Sequence, residues 1–394
     1  MNTTKKILLK KGKEHAIKRF HLWIFSGAIA KIEGQVTEGD LVEVFDYKNE
    51  FLALGLYAGG SIAVRILSFN KVEINQDFWD NKIESAYQLR MNLGLQSESN
   101  NCYRLFHGEG DLISGLIIDI YNFNAVVQLH FSGLEKYLDN IVFALEKVYN
   151  QQLNSIYIKF SDHIAQEAFY KKKADDLHLP IEVLEHDIKM HVNWETGQKT
   201  GFFVDQRENR RILKQYSKDK KVLNTFCYTG GFSLYALQAG AKEVHSVDIS
   251  EEAIRLTDEN VLLNNFSQKK AAHQSFAMDV FKFMNDNKEV YDVIVLDPPA
   301  FAKSRKNSHN ALMGYKRINT EAIKVIKNGG FLFTFSCSQV IDPVMFKSIV
   351  LSAAINAGRK VKIVERLSQP ADHPVNIFHP ESEYLKGLVL YIED

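Results

Sequence analysis

Two residues offer chemistry on type and setting alone. Asp297 ends an apolar run and is followed by Pro298, Pro299, Ala300 and Phe301, while Cys337 ends another apolar run in Phe335-Ser336-Cys337-Ser338. The two prolines remove amide donors and hold the turn extended, so that a carboxylate fixed there meets a substrate group rather than its own backbone. A thiol at the end of a companion strand would be a nucleophile beside that carboxylate. A strand-end cysteine is more often a small buried hydrophobe, and Cys102 and Cys227, which lack such company, are read that way.

A third constellation reads strand, glycine-containing turn, helix, and a second strand ending in an acid. It comprises residues 222–226, then Tyr228-Thr229-Gly230-Gly231-Phe232, and residues 244–248 closing on Asp248. Glycine lets backbone approach a ligand, and a carboxylate at the end of the next strand suits the two hydroxyls of a ribose. There is no full GxGxxG, which argues against a dinucleotide pyrophosphate and for a ligand with adenosine but no phosphate, such as S-adenosylmethionine. Asp279 is placed to accept from an adenine amino group, or simply to cap the helix that starts before Phe281.

Basic and aromatic residues interleave near the start, where Lys5, Lys6, Lys10, Lys11, Lys13, Lys18 and Arg19 surround His15, Phe20, His21 and Trp23, with Glu14 as the acidic exception. Such a mixture neutralises phosphates and stacks on bases. Lys303, Arg305, Lys306, Lys316 and Arg317 follow the Pro-Pro turn closely enough to hold nucleic-acid backbone beside a reacting base. Lys171-Lys172-Lys173 reads as solvated surface.

These groups need elements to position them. Residues 40–46, 51–57 and 62–67 read as strands of a small β-rich module, and residues 76–95 and 134–149 as amphipathic helices flanking strands around a turn at Tyr121-Asn122. Beyond residue 186, apolar runs at 222–226, 244–248, 293–297 and 331–335 alternate with helical stretches, the pattern of a parallel βα sheet. Ser250 or Asp248 can cap the helix from Glu251, and Asp205-Gln206-Arg207-Glu208 has capping-box spacing. Three segments follow: 1–72, 73–185 and 186–394.

Bulk numbers narrow the class. With 394 residues the chain has room for two or three domains. Its 48 basic and 48 acidic side chains cancel, so nucleic-acid contact has to come from local patches. Three widely spaced cysteines with no CxxC pair suggest neither a disulfide framework nor a zinc knuckle; reduced thiols in the cytoplasm fit, and no metal is expected. No run approaches the ~20 apolar residues of a membrane helix.

Taken together, the motifs resemble the ribosomal large-subunit RNA cytosine-5 methyltransferases, which join an amino-terminal PUA domain to a class I methyltransferase domain. The resemblance runs end to end. It rests on His21-Leu22-Trp23-Ile24-Phe25-Ser26-Gly27-Ala28, on Gly197-Gln198-Lys199-Thr200-Gly201-Phe202-Phe203-Val204-Asp205-Gln206-Arg207, and on the stretch from Asn224 to Phe232. Asp297 to Phe301, Phe335-Ser336-Cys337-Ser338 and Asp372-His373-Pro374 complete it. It implies an α/β, Rossmann-like catalytic domain (186–394), a PUA domain (1–72) that binds RNA through residues such as Lys10, Lys11, Arg19 and Trp23, and a small α+β middle domain (73–185).

The same resemblance implies that Phe226, Tyr228, Thr229, Gly230, Asp248 and Asp279 line S-adenosylmethionine, with Lys199 and Gln206 in a covering stretch. Asp297 and Cys337 would then handle the base, with Lys303 and Arg305 on the RNA; a homodimer is compatible with this reading. Many cytosine-5 RNA methyltransferases carry a second cysteine where this chain has Ala300, so a single cysteine must serve. The expected product is 5-methylcytosine in large-subunit ribosomal RNA. Cys337 adds to carbon 6 while Asp297, kept protonated by burial against Pro298, Pro299 and Phe301, donates to ring nitrogen 3. Asp372 and Glu381 are the candidates for the base that removes the carbon-5 proton. Alternatives are uracil carbon 5, an exocyclic amine (the Asp-Pro-Pro-x-Phe turn resembles that of amine methyltransferases), or a non-catalytic RNA-binding assembly factor.

Overall fold

The computed structural model describes residues 5–161, 164–266, 272–287, 289–301 and 308–394. Contacts divide the chain into two compact units. One is Met1–Val183 with Val192–Val204 and Ala371–Ser382; the other is Leu184–His191 with Asp205–Pro370 and Glu383–Asp394.

In the first unit β1 (Lys6–Leu9), α1 (His15–Lys18), β2 (Trp23–Phe25), β3 (Ile29–Glu33), β4 (Leu41–Phe45), β5 (Phe51–Tyr57) and β6 (Ile62–Ser68) come first. Their six strands form one sheet in the order β2-β6-β5-β4-β1-β3. Alternation puts Ile7, Leu9, Val42, Val44, Val64 and Ile66 on its buried face. Gly55 is required where β5 and β6 press together, because a Cβ there would sit 2.7 Å from the Arg65 carbonyl oxygen.

The same unit continues with α2 (Gln76–Asn92), β7 (Cys102–His107), β8 (Leu116–Tyr121), β9 (Asn124–Leu129), α3 (Leu138–Val148), β10 (Ser155–Phe160) and β11 (Phe169–Lys172). These strands make a five-stranded sheet, β11-β10-β9-β8-β7. Asn75 caps α2 by accepting from the Phe78 amide at 3.2 Å. The expected turn after Tyr121 is a two-residue hairpin with Asn122 and Phe123 both at positive φ, the type I′ geometry that matches strand twist. Leu56 and Leu67, from the first sheet, pack into one core with Trp79, Ile83, Phe106 and Leu145. The helix expected over 134–149 opens as a 3₁₀ turn, Ser132–Tyr137, before α3.

A hairpin of β12 (Ile181–Glu185) and β13 (Ile188–Val192) forms a two-stranded sheet. The second unit is built from α4 (Arg207–Ser217), β14 (Lys221–Thr225), α5 (Gly231–Gln238), β15 (Glu243–Asp248), α6 (Glu251–Leu263), β16 (Ala272–Ala277) and α7 (Val280–Asp286). It is completed by β17 (Tyr291–Leu296), α8 (Ser308–Val325), β18 (Ile326–Ser336), α9 (Pro343–Ala357), β19 (Lys360–Ser368) and β20 (Lys386–Glu393). The sheet order is β16-β15-β14-β17-β18-β20-β19, parallel through β18, with β20 antiparallel to both neighbours.

Connections leave β14 towards β15 and return to β17 on its other side, so the carboxyl ends of β14 and β17 border a topological switch point. Central strands are apolar on both faces because helices cover both: Val293, Ile294, Val295 and Leu296 are all fully buried. Ser250 caps α6 as expected, accepting from the Ala253 amide at 3.2 Å. The N-cap expected at Asp205 lies one residue further on. Gln206 is the N-cap of α4 and its side chain makes no capping bond, while Asp205 accepts from the Tyr384 hydroxyl at 2.6 Å. The competing tyrosine on the return towards β20 could not be foreseen from local spacing.

Candidate active site at the carboxyl edge of the sheet

The turn after β14 is built from residues in unusual backbone states. Phe226, Tyr228 and Gly230 have φ of 54°, 48° and 80°, a series in the left-handed region that curls the chain around a concave lip. Three contacts hold it. The Cys227 amide donates to the Val247 carbonyl at 3.1 Å, Thr257 Oγ1 donates to the Tyr228 carbonyl at 2.9 Å, and Asn260 donates to the Thr229 carbonyl at 2.9 Å. Gly230 is forced by packing as well as by φ, since a Cβ would lie 2.7 Å from Thr257 Cγ2.

Asp248 ends β15 beside this lip, half-buried. Its two oxygens accept from the Tyr228 amide and the Ser250 amide, each at 3.0 Å. A carboxylate oxygen has a second lone pair, so both remain able to receive ribose hydroxyls. Thr229 Oγ1 is buried with no hydrogen-bond partner, and such an orphan polar atom at the lip fits a polar ligand. Residues around the turn therefore suit an adenosine-type ligand: concave backbone, a poised carboxylate and an unsatisfied hydroxyl.

Asp279 performs the capping role weighed above, accepting from the Lys282 amide at 2.9 Å, and its side chain is exposed. Gln206 is buried and accepts from Asn209 at 2.6 Å. Lys199 lies in the first unit, exposed, with φ of 51° and its ammonium 4.7 Å from the Phe203 ring centre.

Asp297 follows β17 and Cys337 follows β18. These are adjacent parallel strands in which Leu296 pairs with Thr334, so the two residues emerge at one edge. Both are half-buried. Beneath them Tyr315 is fully buried; burial chiefly, then negative charge on Cys337 and on Asp297, holds its hydroxyl above the ordinary phenol range. Phe301 does not project freely, because its ring packs edge-on against Tyr315 with centroids 4.7 Å apart. Cys227, by contrast, is buried beside Asp248, and both burial and that charge push its thiol up, which makes it inert.

One residue escaped the sequence reading. Lys386 begins β20 opposite Ser336, is 6% exposed, and donates to the Ser338 and Tyr384 carbonyls at 2.6 Å each. Burial pushes its ammonium down to about 8, with negative charge on Cys337 pulling back upward. A lysine among the apolar residues of Leu385-Lys386-Gly387-Leu388 was the available signal; its meaning needed the strand pairing.

Elsewhere, Lys11 and Arg19 are exposed. Lys10, also exposed, donates to the Gly27 carbonyl at 3.0 Å. The Trp23 indole N–H reaches Glu109 at 3.0 Å and Ser114 at 2.8 Å. Lys303 and Arg305 lie outside the described residues. Asp372 and Glu381 belong to the first unit. Asp372 is buried and accepts from the Arg104 amide at 3.0 Å, and Glu381 meets His21 at 3.2 Å.

A seven-stranded sheet of this order, with its lip and carboxylate at the switch point, defines a class I S-adenosylmethionine-dependent methyltransferase. A family model described as S-adenosylmethionine-dependent methyltransferase matches residues 170–389, and one described as PUA-like domain matches residues 7–69. The chain belongs to the ribosomal RNA large subunit methyltransferase I family. It is 39% identical over 401 residues to the protein of that name from Tolumonas auensis, covering 99% of each chain. Against its namesake from Vibrio parahaemolyticus it is 39% identical over 393 residues, covering 98% of each. The crystal structure of SMU.776, complexed with SAH, shares the fold with a TM-score of 0.87 at 24% identity, covering 98% of this chain and 99% of that one. No helix among the described residues is long and apolar enough to cross a membrane.

Proposed function

We propose that this enzyme acts in the cytoplasm on large-subunit ribosomal RNA and forms 5-methylcytosine through a covalent adduct on Cys337. The ribosomal substrate is supported by the names of relatives aligned over nearly the whole chain. The observation that carries the carbon-5 reading is the strand-end triplet of Cys337, Asp297 and Lys386. Carbon 5 of cytosine is a weak nucleophile, so a thiolate must first add to carbon 6, and a thiolate needs a positive neighbour.

In this reading the Lys386 ammonium lies beside Cys337 and stabilises its thiolate, the thiol proton having passed to solvent. Asp297 donates a proton to ring nitrogen 3, which neutralises charge as sulfur bonds to carbon 6. S-adenosylmethionine, when bound, supplies the electrophilic methyl group for carbon 5. Loss of the carbon-5 proton to a base, with the nitrogen-3 proton returning to Asp297, then breaks the carbon–sulfur bond and restores the thiolate and the product base. Phe226, Tyr228, Thr229, Gly230 and Asp248 would hold the methyl donor. An amine-methylating reading would need Phe301 to stack on the base, and its edge-on packing against Tyr315 favours the carbon-5 reading. Mapping the methylated nucleotide in unmodified ribosomal RNA tests the proposal; methyl on an exocyclic nitrogen would refute it.

Asp248→Ala should weaken S-adenosylmethionine binding at least tenfold, because charge-assisted bonds to two hydroxyls are lost. Calorimetry with an unchanged affinity would remove Asp248 from the site. Lys11→Glu with Arg19→Glu in the full chain should weaken RNA binding and flatten its salt dependence by about one unit of log–log slope for each lost phosphate contact. An unaltered slope would assign those side chains to solvent.

A further inference from the structure

The first unit contains a second cluster of ligating side chains, remote in sequence. His21 precedes β2, and His379 and Glu381 belong to Ala371–Ser382. Glu381 Oε2 lies 3.2 Å from His21 Nε2 and 3.8 Å from His379 Nε2, and one potential ligand atom from each of the three residues falls within 4.8 Å of the others. The two imidazole rings lie with centres 4.4 Å apart, tilted by 36°.

His379 is the anomaly that gives the cluster meaning. Its side chain is fully buried, yet neither Nδ1 nor Nε2 has a hydrogen-bond partner. A neutral imidazole carries one N–H and one lone pair, so either tautomer leaves both desolvated and unsatisfied. Burial and the neighbouring His21 hold it below the ordinary histidine range, with Glu109 and Glu381 acting weakly the other way.

His21 is prepared to take part. Its Nδ1 lies 3.2 Å from both the amide nitrogen and the carbonyl oxygen of Trp23. These contacts orient the ring so that Nε2 faces Glu381 at 3.2 Å; when a cation takes the Nε2 lone pair the proton moves to Nδ1, where the Trp23 carbonyl can accept it.

We propose that His21, His379 and Glu381 form a binding site for a zinc-class divalent cation, with three protein ligands and one open position. Bonds of about 2.0–2.1 Å in tetrahedral geometry place neighbouring ligand atoms roughly 3.3 Å apart, close to the two separations from Glu381. Two nitrogens and one carboxylate oxygen are borderline donors, suited to zinc, cobalt or nickel rather than to calcium or magnesium. Such a site would clasp the Ala371–Ser382 segment to the stretch before β2.

The test uses the full chain, stripped with chelator and titrated with Co²⁺ and then Zn²⁺. One equivalent of Co²⁺ should give visible d–d absorption without a thiolate charge-transfer band, because no cysteine is among the ligands, and Zn²⁺ should displace it. Emission from Trp23, whose ring is centred 4.4 Å from that of His379, should be quenched by Co²⁺. His379→Phe, which keeps an aromatic ring in place, and Glu381→Gln, at a half-exposed side chain, should each weaken binding at least tenfold. Wild-type binding weaker than about 10 μM, a thiolate band, or affinity unchanged in both variants would each overturn the proposal.

Discussion

Cys337→Ala should abolish methyl transfer while S-adenosylmethionine affinity is retained. Without a thiolate at carbon 6 there is no activated carbon 5, and losing a nucleophile costs several orders of magnitude in rate. Replacing a cysteine that only packs costs ~1 to 2 kcal/mol of stability and little chemistry. The contrast is built into the chain: Cys102 and Cys227 are fully or nearly buried, so Cys102→Ala and Cys227→Ala should remain active. RNA with 5-fluorocytosine at the target should trap the wild-type enzyme covalently, because fluorine cannot leave as a proton. A Cys337→Ala protein that still methylates, with no adduct in the wild type, would sink the covalent mechanism.

Lys386→Met should slow single-turnover methylation at pH 7 by tenfold to a hundredfold and move the ascending limb of its pH–rate profile upward by at least one unit. The ammonium stabilises the thiolate; without it the thiol ionises only at higher pH. Lys386→Arg should recover part of the rate, since it restores the charge. A stability measurement separates this from unfolding. The folded-state value of about 8 lies below the ordinary 10.5, so the unfolded chain binds more protons between these limits. Wild-type stability should accordingly rise as pH climbs through that window. Lys386→Met removes this slope and a buried charge, and should be no less stable at pH 7. Denaturant midpoints across pH 7 to 10.5 check the sign, and a variant with an unshifted rate profile would leave Lys386 a purely structural residue.

What the sequence disclosed follows physical lines. Asp297, Cys337 and Asp248 were legible because a parallel sheet delivers every strand's carboxyl end to one edge, so apolar runs ending in reactive residues converge without knowledge of distances. The strand 51–57 was read to the residue, bounded by turn formers on both sides. β16 was missed: Ala272-His273-Gln274-Ser275-Phe276-Ala277 is an edge strand, half polar, with no fully buried residue to mark an apolar run. Lys386 and His379 were illegible as partners for a different reason. Each acquires its meaning from a residue far away in the chain, across a strand pairing in one case and a loop contact in the other.

The pairing of Ser336 with Lys386 also makes the reaction a gauge of sheet register. Gly387 stands next to the lysine, where an added Cβ would fall 2.6 Å from the Phe335 ring and 2.9 Å from Leu367 Cβ. Any side chain there must push β20 away from its neighbours, and a slip by one residue would turn the lysine to the opposite face. Damage at this glycine would therefore register first as lost chemistry, in a protein still folded, with every reacting group unchanged. The reacting groups thus depend on a position that carries no functional group of its own.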